Sequence, residues 1–192
     1  TAVVTRPVML FDGTDDYVQL PASDTPAITE SSGTYSGIQM IRSFGIPATA
    51  QATIFSSEST PNNGIKLFIA PATYGTAQGR PALRLGGASG LKTLYATDLP
   101  SVTDGNLHVI YWEIVNGNLR LAVDGVFTAA PVSAGTPGVI THTTPRLGMW
   151  ASSVTDAHAF TGEIFAPPTF KDQTLTATEP DAIASQLLAG TY

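Results

Sequence analysis

Residues 106–127 have the most regular pattern in the sequence. Successive side chains of a strand point to opposite faces, so one face carries His108, Ile110, Trp112 and Ile114 and the other carries Leu107, Val109, Tyr111, Glu113 and Val115. Asn116-Gly117 follows, and both residue types tolerate the positive φ that a two-residue hairpin turn requires. Asp124-Gly125 supplies a second such turn. The segment therefore predicts three antiparallel strands joined by two short turns.

Shorter runs of apolar and β-branched residues recur along the rest of the chain, separated by Gly, Pro and Asn. These runs predict further strands at residues 35–44, 52–57, 65–70, 81–86, 91–96, 146–150 and 160–165. We interpret residues 72–79 and 86–90 as loops. Pro167-Pro168 should break the ladder of the last strand, because proline has no N–H to donate.

The C-terminal segment has helical signals. Thr178 fits an N-cap, with Pro180 in the first turn and Asp181 completing a capping box, although Thr176 with Glu179 fits equally well. About a dozen short strands and one short C-terminal helix predict an all-β, antiparallel β-sandwich. A chain of 192 residues fits a single domain, 1–192, around one core.

Composition limits the classes of partner. Only 12% of residues are charged, the net charge is −6, and the Lys and Arg residues are scattered, which argues against a nucleic-acid-binding groove. There is no cysteine, which excludes disulfides and thiolate metal sites. No apolar run approaches the ~18 residues of a membrane-spanning helix. We therefore expect no nucleic-acid partner and no membrane insertion.

Five short motifs occur in the order found in laminin-G-like, concanavalin-A-like jelly-roll domains. They are FDGTDDYV (residues 11–18), GNLHV (105–109), LRLAVDGV (119–126), FTGEI (160–164) and LTATE (175–179). The sequence therefore resembles this superfamily over nearly its whole length. The resemblance implies a jelly-roll sandwich whose first motif is the opening hairpin.

Two positions depart from the pattern of the superfamily. Leu107 stands where relatives usually have Trp, which a repacked core accommodates. Ala166-Pro167-Pro168 interrupts a strand that relatives continue, which suggests either an edge remodelled to meet a neighbour or a terminated strand.

The superfamily includes glucanases, lectins, adhesion modules and virion surface proteins, so the fold does not assign a role. Its retaining glucanases carry a Glu-x-Asp-x-(x)-Glu strand that presents two carboxylates on one face, about 5 Å apart. The five glutamates of this chain are Glu30, Glu58, Glu113, Glu163 and Glu179, and none belongs to such a motif. The chain also lacks a nucleophile elbow and a phosphate-binding loop, and its histidines have no metal-ligand spacing. We therefore predict that it is not an enzyme.

Many relatives hold calcium at the rim of the sandwich, because this hard cation prefers several oxygen ligands. Asp15, Asp16, Asp104 and Asp156 are the loop acids that we predict as metal ligands, with calcium as the cofactor. The alternative is that the acids of residues 12–16 serve the turn itself, since Asp accepts local backbone hydrogen bonds.

Sugar binding requires exposed aromatic rings beside polar partners. Trp150, Tyr74 and Tyr95 are the aromatic residues nearest to loops, and we predict them as ligand-binding residues. Trp112 is flanked by Ile110 and Ile114 and is predicted to lie in the core.

These features favour a non-enzymatic attachment protein at a virion surface or outside the cell, such as a phage capsid decoration or fibre-associated protein. Its partners would be other virion or surface proteins and host glycans, and a repeated decoration role would favour a symmetric homo-oligomer. The alternative is a calcium-dependent carbohydrate-binding or adhesion domain of a bacterial surface protein.

Overall fold

The computed structural model describes residues 8–21, 34–45, 48, 50–59, 63–87, 90–133, 142–151 and 158–171. The predicted C-terminal helix and Asp156 lie outside these residues. The described chain forms two antiparallel sheets that pack face to face as a β-sandwich. The fold class predicted from the sequence is therefore confirmed.

One sheet has seven strands in the order β1-β13-β3-β8-β9-β10, with β11 also pairing with β9. Their bounds are β1 Val8–Asp12, β3 Thr34–Ser43, β8 Leu107–Val115, β9 Asn118–Val123, β10 Val126–Phe127, β11 Val132–Ser133 and β13 Thr161–Lys171. The other sheet has six strands in the order β2-β12-β4-β5-β6-β7. Their bounds are β2 Val18–Gln19, β4 Ala52–Glu58, β5 Gly64–Ile69, β6 Pro81–Gly87, β7 Gly90–Tyr95 and β12 His142–Leu147.

The opening motif is not a hairpin. β1 pairs with β13 of the seven-stranded sheet, whereas β2 pairs with β12 of the six-stranded sheet. The turn between them therefore carries the chain from one sheet to the other. The predicted alternation is correct, because Leu20 is buried while Tyr17 and Gln19 are exposed.

The space between the sheets is filled by apolar side chains that are paired directly across neighbouring strands. In the six-stranded sheet one such row runs through Val18, Leu147, Phe55, Leu67, Leu83 and Leu94. Trp112 of β8 is fully buried and stacks on Phe55 at 6.3 Å between ring centroids, which joins the two sheets and confirms its predicted place in the core. Gly37 makes room for this indole, since a Cβ there would lie 2.6 Å from Nε1.

A β-bulge in β4 determines which of its side chains face outward. Thr53 pairs with Phe68 and Phe55 pairs with Leu67, so Ile54 is the extra residue. The insertion directs both Ile54 and Phe55 into the core, and alternation resumes beyond them. Ser56 and Glu58 consequently lie on the outer face of the six-stranded sheet.

The last strands differ from the sequence predictions. The ladder between β13 and β3 lapses after Phe165, as prolines at 167 and 168 require, but it resumes at Thr169 and continues to Lys171. The predicted break at the prolines is therefore present, and strand pairing resumes beyond it. The strand predicted at 146–150 ends at Leu147, because Gly148 takes a φ of +82° and turns the chain away.

Two predicted loops also contain regular structure. Residues 72–77 form 3-10 turns between β5 and β6. β6 and β7 form a hairpin whose last pair is Gly87 and Gly90. No helix in the described part of the chain is long and apolar enough to cross a membrane.

Candidate functional site

The outer face of the six-stranded sheet carries a row of directly paired polar residues. The strand registers place them in the order Gln19, Arg146, Ser56, Lys66, Arg84 and Thr93. Three of the six are cationic, although the chain as a whole has a net charge of −6. We call this set the polar row.

A second set of paired residues on the same face contains aromatic rings. Thr53 pairs with Phe68, Phe68 with Ala82, and Ala82 with Tyr95. The ring of Tyr95 meets Phe68 edge-on at 6.2 Å between centroids. Tyr74, from the 3-10 turns, also contacts Tyr95, at 5.3 Å between ring centroids.

Tyr74 and Tyr95 form an aromatic pair with one exposed member. Tyr74 is 41% exposed, whereas Tyr95 is half-buried at the edge strand β7. Burial, together with the interaction with Tyr74, raises the pKa of Tyr95 to about 12, so its phenol stays neutral at physiological pH. The pair therefore offers a neutral aromatic surface beside the cationic Arg84.

Lys66 is a buried lysine in the middle of the polar row. Only 1% of the residue is exposed, and its Nζ donates a hydrogen bond of 3.0 Å to Oε1 of Gln51. The ammonium also lies 4.9 Å from the ring centroid of Trp150 and 5.5 Å from that of Phe68. Burial lowers the pKa of Lys66 to about 7, against the attraction of Glu58.

Glu58 is the acidic partner of these cations. It is fully buried, and its Oε1 lies 3.7 Å from Nη1 of Arg84, an ion-pair distance rather than a hydrogen bond. Burial raises the pKa of its carboxyl, while Arg84, Lys66 and the Trp150 indole oppose that shift. The arrangement places one carboxylate among several donors away from bulk water.

Trp150 lies three residues beyond the end of β12 and covers part of the group formed by Glu58, Lys66 and Arg84. Its ring meets the His158 ring edge-on at 5.0 Å between centroids, and both residues are half-buried. Burial lowers the pKa of His158 to about 4, with the nearby charge of Lys66 acting in the same direction, so its imidazole is neutral at physiological pH.

The structure brings the predicted aromatic residues onto one face, but they belong to two different groups of contacting residues. Tyr74 and Tyr95 are in contact with each other, while Trp150 belongs to the group around Glu58 and Lys66. Sequence reasoning missed Glu58, Lys66 and Arg84. The polar positions at 66 and 84 interrupt apolar strands, but only the strand registers show that they are neighbours.

Of the predicted calcium ligands, Asp15 and Asp16 lie together, and Asp12, which was not predicted as a ligand, lies with them. Asp12, Asp15 and Asp16 each have an atom within 4.8 Å of the others at the turn that links the two sheets. Oδ1 of Asp12 accepts a hydrogen bond from the Thr14 amide, and Oδ2 of Asp16 accepts one from the Asp12 amide. These carboxylates therefore also serve the turn, and calcium binding stays a prediction.

Asp104 belongs to a different group. Its carboxylate accepts hydrogen bonds from the backbone and side chain of Asn106 and faces His108 Nε2 at 2.9 Å. These bonds, that of the Asn106 backbone first, lower the pKa of Asp104 to about 2. His108 Nδ1 in turn lies 2.7 Å from Oδ2 of Asp124, so the imidazole joins two loops at the rim of the sandwich.

Comparisons with known proteins establish the fold. No family model matches the sequence, and no curated protein sequence matches it. Among solved structures, the Ruminococcus gnavus IT-sialidase CBM40 bound to α2,3-sialyllactose superposes with a TM-score of 0.65 at 16% identity, covering 93% of this chain and 98% of that one. This module therefore has nearly the same extent as the chain.

Two other similar structures are parts of larger proteins. Domains LG4-5 of the mouse laminin alpha1 chain give a TM-score of 0.62 at 18% identity, covering 92% of this chain and 46% of that chain. A botulinum neurotoxin type C structure gives a TM-score of 0.60 at 9% identity, covering 95% of this chain and 46% of that chain. Cell entry of that toxin depends on interaction with two ganglioside molecules. The chain thus spans less than half the length of these two. The fold that the resemblance seen in the sequence implied, a concanavalin-A-like jelly roll, is therefore confirmed.

Proposed function

We propose that this chain is a non-catalytic attachment module that binds glycans on the outer face of its six-stranded sheet. The observation that carries the proposal is the contact between Tyr74 and Tyr95 beside the polar row. An exposed aromatic ring packs against the apolar face of a pyranose, and neighbouring polar groups fix the orientation of the sugar. The bound sialyllactose and the gangliosides named for two structural neighbours add support.

The distribution of glutamates supports a role without catalysis. Glu58 lies on the outer face of the six-stranded sheet, whereas Glu113 and Glu163 pair with Ser36 and Arg42 in the seven-stranded sheet. Ser36 and Arg42 are six residues apart along β3, which separates their partners by about 20 Å. Glycosidase carboxylates lie within about 10 Å of each other. No two of these three described glutamates form such a pair.

A glycan array with the wild-type protein and a Tyr74→Ala variant tests the proposal. We expect the wild type to bind a subset of glycans and the variant to lose most of that signal. Phe44→Ala is the matched control, because Phe44 is an exposed aromatic residue that follows β3 of the other sheet. An array on which the wild type binds nothing, or on which both variants behave alike, contradicts the proposal.

The setting that we propose is a virion surface, with a role such as capsid decoration or fibre attachment. Support comes from the edge strand β1, where Val8 and Leu10 are 48% and 68% exposed and can contact a neighbouring protein. Mass spectrometry of purified particles tests this setting. Absence of the chain from the particles contradicts it and leaves glycan binding to be judged by the array.

A calcium-dependent version of the same function is the second candidate. The observation that favours it is the acidic cluster of Asp12, Asp15 and Asp16 at the turn between the sheets. Thermal unfolding of the protein in calcium and in a chelator tests it.

A further inference from the structure

Each sheet ends in edge strands, and β1 is the least protected of them. β2, β10 and β11 have only two residues each, and β7 carries the exposed Lys92, whose charge discourages pairing with another strand. β1 has five residues without a lysine or arginine, and in the described part of the chain it pairs with β13 alone. The side chains of Val8 and Leu10 on this strand are exposed. β1 therefore has the length and composition of an edge that can accept a further strand.

The ladder beyond β1 determines which of its backbone groups point away from the sheet. The amide of Phe44, which follows β3, donates to the carbonyl of Thr161 in β13. Because backbone groups alternate in direction along a strand, the even-numbered residues of this part of β13 bond to β1 instead. Their partners in β1 are Met9 and Phe11. The even-numbered residues of β1 consequently direct their N–H and C=O groups outward.

A side-chain contact agrees with this direction and limits the free stretch. The amide of Asp12 donates to Oδ2 of Asp16 rather than to β13. That bond occupies the outward N–H at the end of β1. Val8 and Leu10 keep outward N–H and C=O groups that have no backbone partner among the described residues.

We propose that β1 pairs antiparallel with β1 of a second copy of this chain, across a twofold axis at Met9. This register sets Val8 of each copy opposite Leu10 of the other, and each such pair exchanges two N–H···O=C hydrogen bonds. The free groups of both strands are thereby used. The side chains of Val8 and Leu10 lie on the same face of the sheet, so each pair also brings two exposed apolar side chains into contact.

The proposed pairing extends an apolar cluster that already lies beside this edge. On the outer face of the seven-stranded sheet, Val8 is opposite Phe165, Phe165 is opposite Met40, and Met40 is opposite Val109. Met40 and Val109 are buried there, with Phe165 packed against them. Leu10 of the second copy would continue this row across the axis. An apolar partner strand therefore fits the edge.

Charge favours a second copy in the antiparallel direction. The acidic turn of residues 12–16 follows β1 directly, and a parallel pair would set two such turns side by side. With the axis at Met9, the Asp12 residues of the two copies are about 20 Å apart, which exceeds the screening length of about 8 Å at physiological ionic strength. In the sequence, Arg6 lies six positions before Asp12, and the same register would set it opposite Asp12 of the other copy. A second copy thus supplies both an apolar and a charged complement.

The inference goes beyond glycan binding and does not depend on it, because β1 and the Tyr95 strand β7 belong to different sheets. A contact centred on residues 8–10 is smaller than the ~1,200 Å² of a stable complex. We therefore expect a weak dimer, with a dissociation constant of about 10–100 μM.

Sedimentation velocity over about 1 μM to 1 mM protein tests the dimer. We expect the wild type to show a monomer–dimer equilibrium. Leu10→Lys sets a charge against the apolar Val8 of the other copy and should raise the dissociation constant at least about tenfold. Val126→Lys is the matched control, because Val126 is also exposed and lies in β10 at the opposite edge of the same sheet. This variant and Tyr74→Ala should dimerise as the wild type does.

Disulfide crosslinking tests the register and does not require Leu10→Lys to fold. The chain has no cysteine, so an introduced thiol can pair only with its equivalent in another copy. In the proposed register the two Met9 positions face each other with Cα atoms about 4.5 Å apart, which permits a disulfide. The two Leu10 positions are diagonal, about 7–8 Å apart, which does not. In oxidised glutathione, Met9→Cys should crosslink at least about tenfold faster than Leu10→Cys, although Leu10 is the more exposed position.

The remaining outcomes overturn the inference. A wild type that stays monomeric throughout the concentration range shows that a second copy does not bind. A dimer that is weakened by Val126→Lys and not by Leu10→Lys would use the other edge of the sheet. Crosslinking of Leu10→Cys as fast as that of Met9→Cys would mean that the register is wrong. A glycan array on which the wild type binds nothing contradicts the proposed function alone, since dimerisation is measured without a glycan.

Discussion

His108 Nδ1 lies 2.7 Å from Oδ2 of Asp124. The second ring nitrogen of His108 lies 2.9 Å from Oδ1 of Asp104, so the imidazole faces a carboxylate on each side. Both nitrogens can donate only when the ring is protonated. The bond to Asp124, followed by that to Asp104, outweighs partial burial and raises the pKa of His108 above its usual 6.5.

We therefore predict that the contribution of His108 to stability depends on pH. A raised pKa in the folded state means that this contribution is fully present below pH 6.5 and is lost as the pH rises through the folded-state pKa. The free energy of unfolding of His108→Gln, measured by urea denaturation across this range, should therefore fall furthest below the wild type at low pH. A difference between the two proteins that does not change with pH contradicts the prediction.

The contribution of His158 to stability should depend on pH in the opposite direction. Burial lowers its pKa to about 4, so its contribution is present above pH 6.5 and is lost as the pH falls towards 4. The amount by which His158→Gln lowers the free energy of unfolding should accordingly become smaller, or change sign, in that acidic range. The same urea titrations measure it.

Gly148 should not tolerate a side chain. Its φ is +82°, and a Cβ at this position would overlap Cδ1 and Cε1 of the buried Phe11 ring. Gly105 has nearly the same φ, +83°, with nothing within 4 Å of the Cβ position, which makes it a matched control for the backbone strain alone. We expect Gly105→Ala to lower the free energy of unfolding by about 1 kcal/mol and Gly148→Ala to lower it by a further ~1–3 kcal/mol. Equal losses would show that Phe11 yields to the added methyl group.

Gln39 is a polar residue in the core that should be replaceable. It is 1% exposed, lies opposite Ile110 in the ladder between β3 and β8, and neither its Oε1 nor its Nε2 has a partner among the described residues. Gln39→Met keeps a similar length and removes two unpaired polar atoms, so we expect stability to rise by about 1–3 kcal/mol. Chemical denaturation measures the change, and a loss of stability would reveal a partner for this amide.

Calcium should raise the melting temperature if the acidic cluster binds it. Calcium at about 100 times its dissociation constant adds about 2.7 kcal/mol to the free energy of unfolding. The double variant Asp15→Asn, Asp16→Asn should lose this response, because each residue supplies an oxygen to the cluster. Asp104→Asn, which alters an acid outside the cluster, should keep it. Identical melting curves in calcium and in EDTA contradict the candidate.

Local features were predictable from the sequence because neighbouring residues determine them. Asn116 and Gly117 both have positive φ, 48° and 74°, as their hairpin turn requires, and Asp124 and Gly125 likewise have 51° and 88°. The alternation of residues 107–115 correctly placed Trp112 in the core.

Long-range pairing was not predictable in the same way. The acidic turn of residues 12–16 has the residue types of a hairpin, and only the distant partners β13 and β12 place its two strands in different sheets. Lys66 and Arg84 are 18 positions apart in the sequence and directly opposite in the ladder between β5 and β6. A polar residue in an apolar strand predicts that its side chain points outward, but it does not predict which residue of the next strand lies opposite.

The polar row has a consequence for how binding specificity can change. Its six members come from six different strands, and each alternates along its own strand with side chains that point into the core. Ser56 and Lys66 of the row are buried, but a substitution at the exposed Gln19 changes the surface without replacing a side chain of the core. The core of the sandwich can thus stay unchanged while substitutions on individual strands alter which ligands the outer face binds.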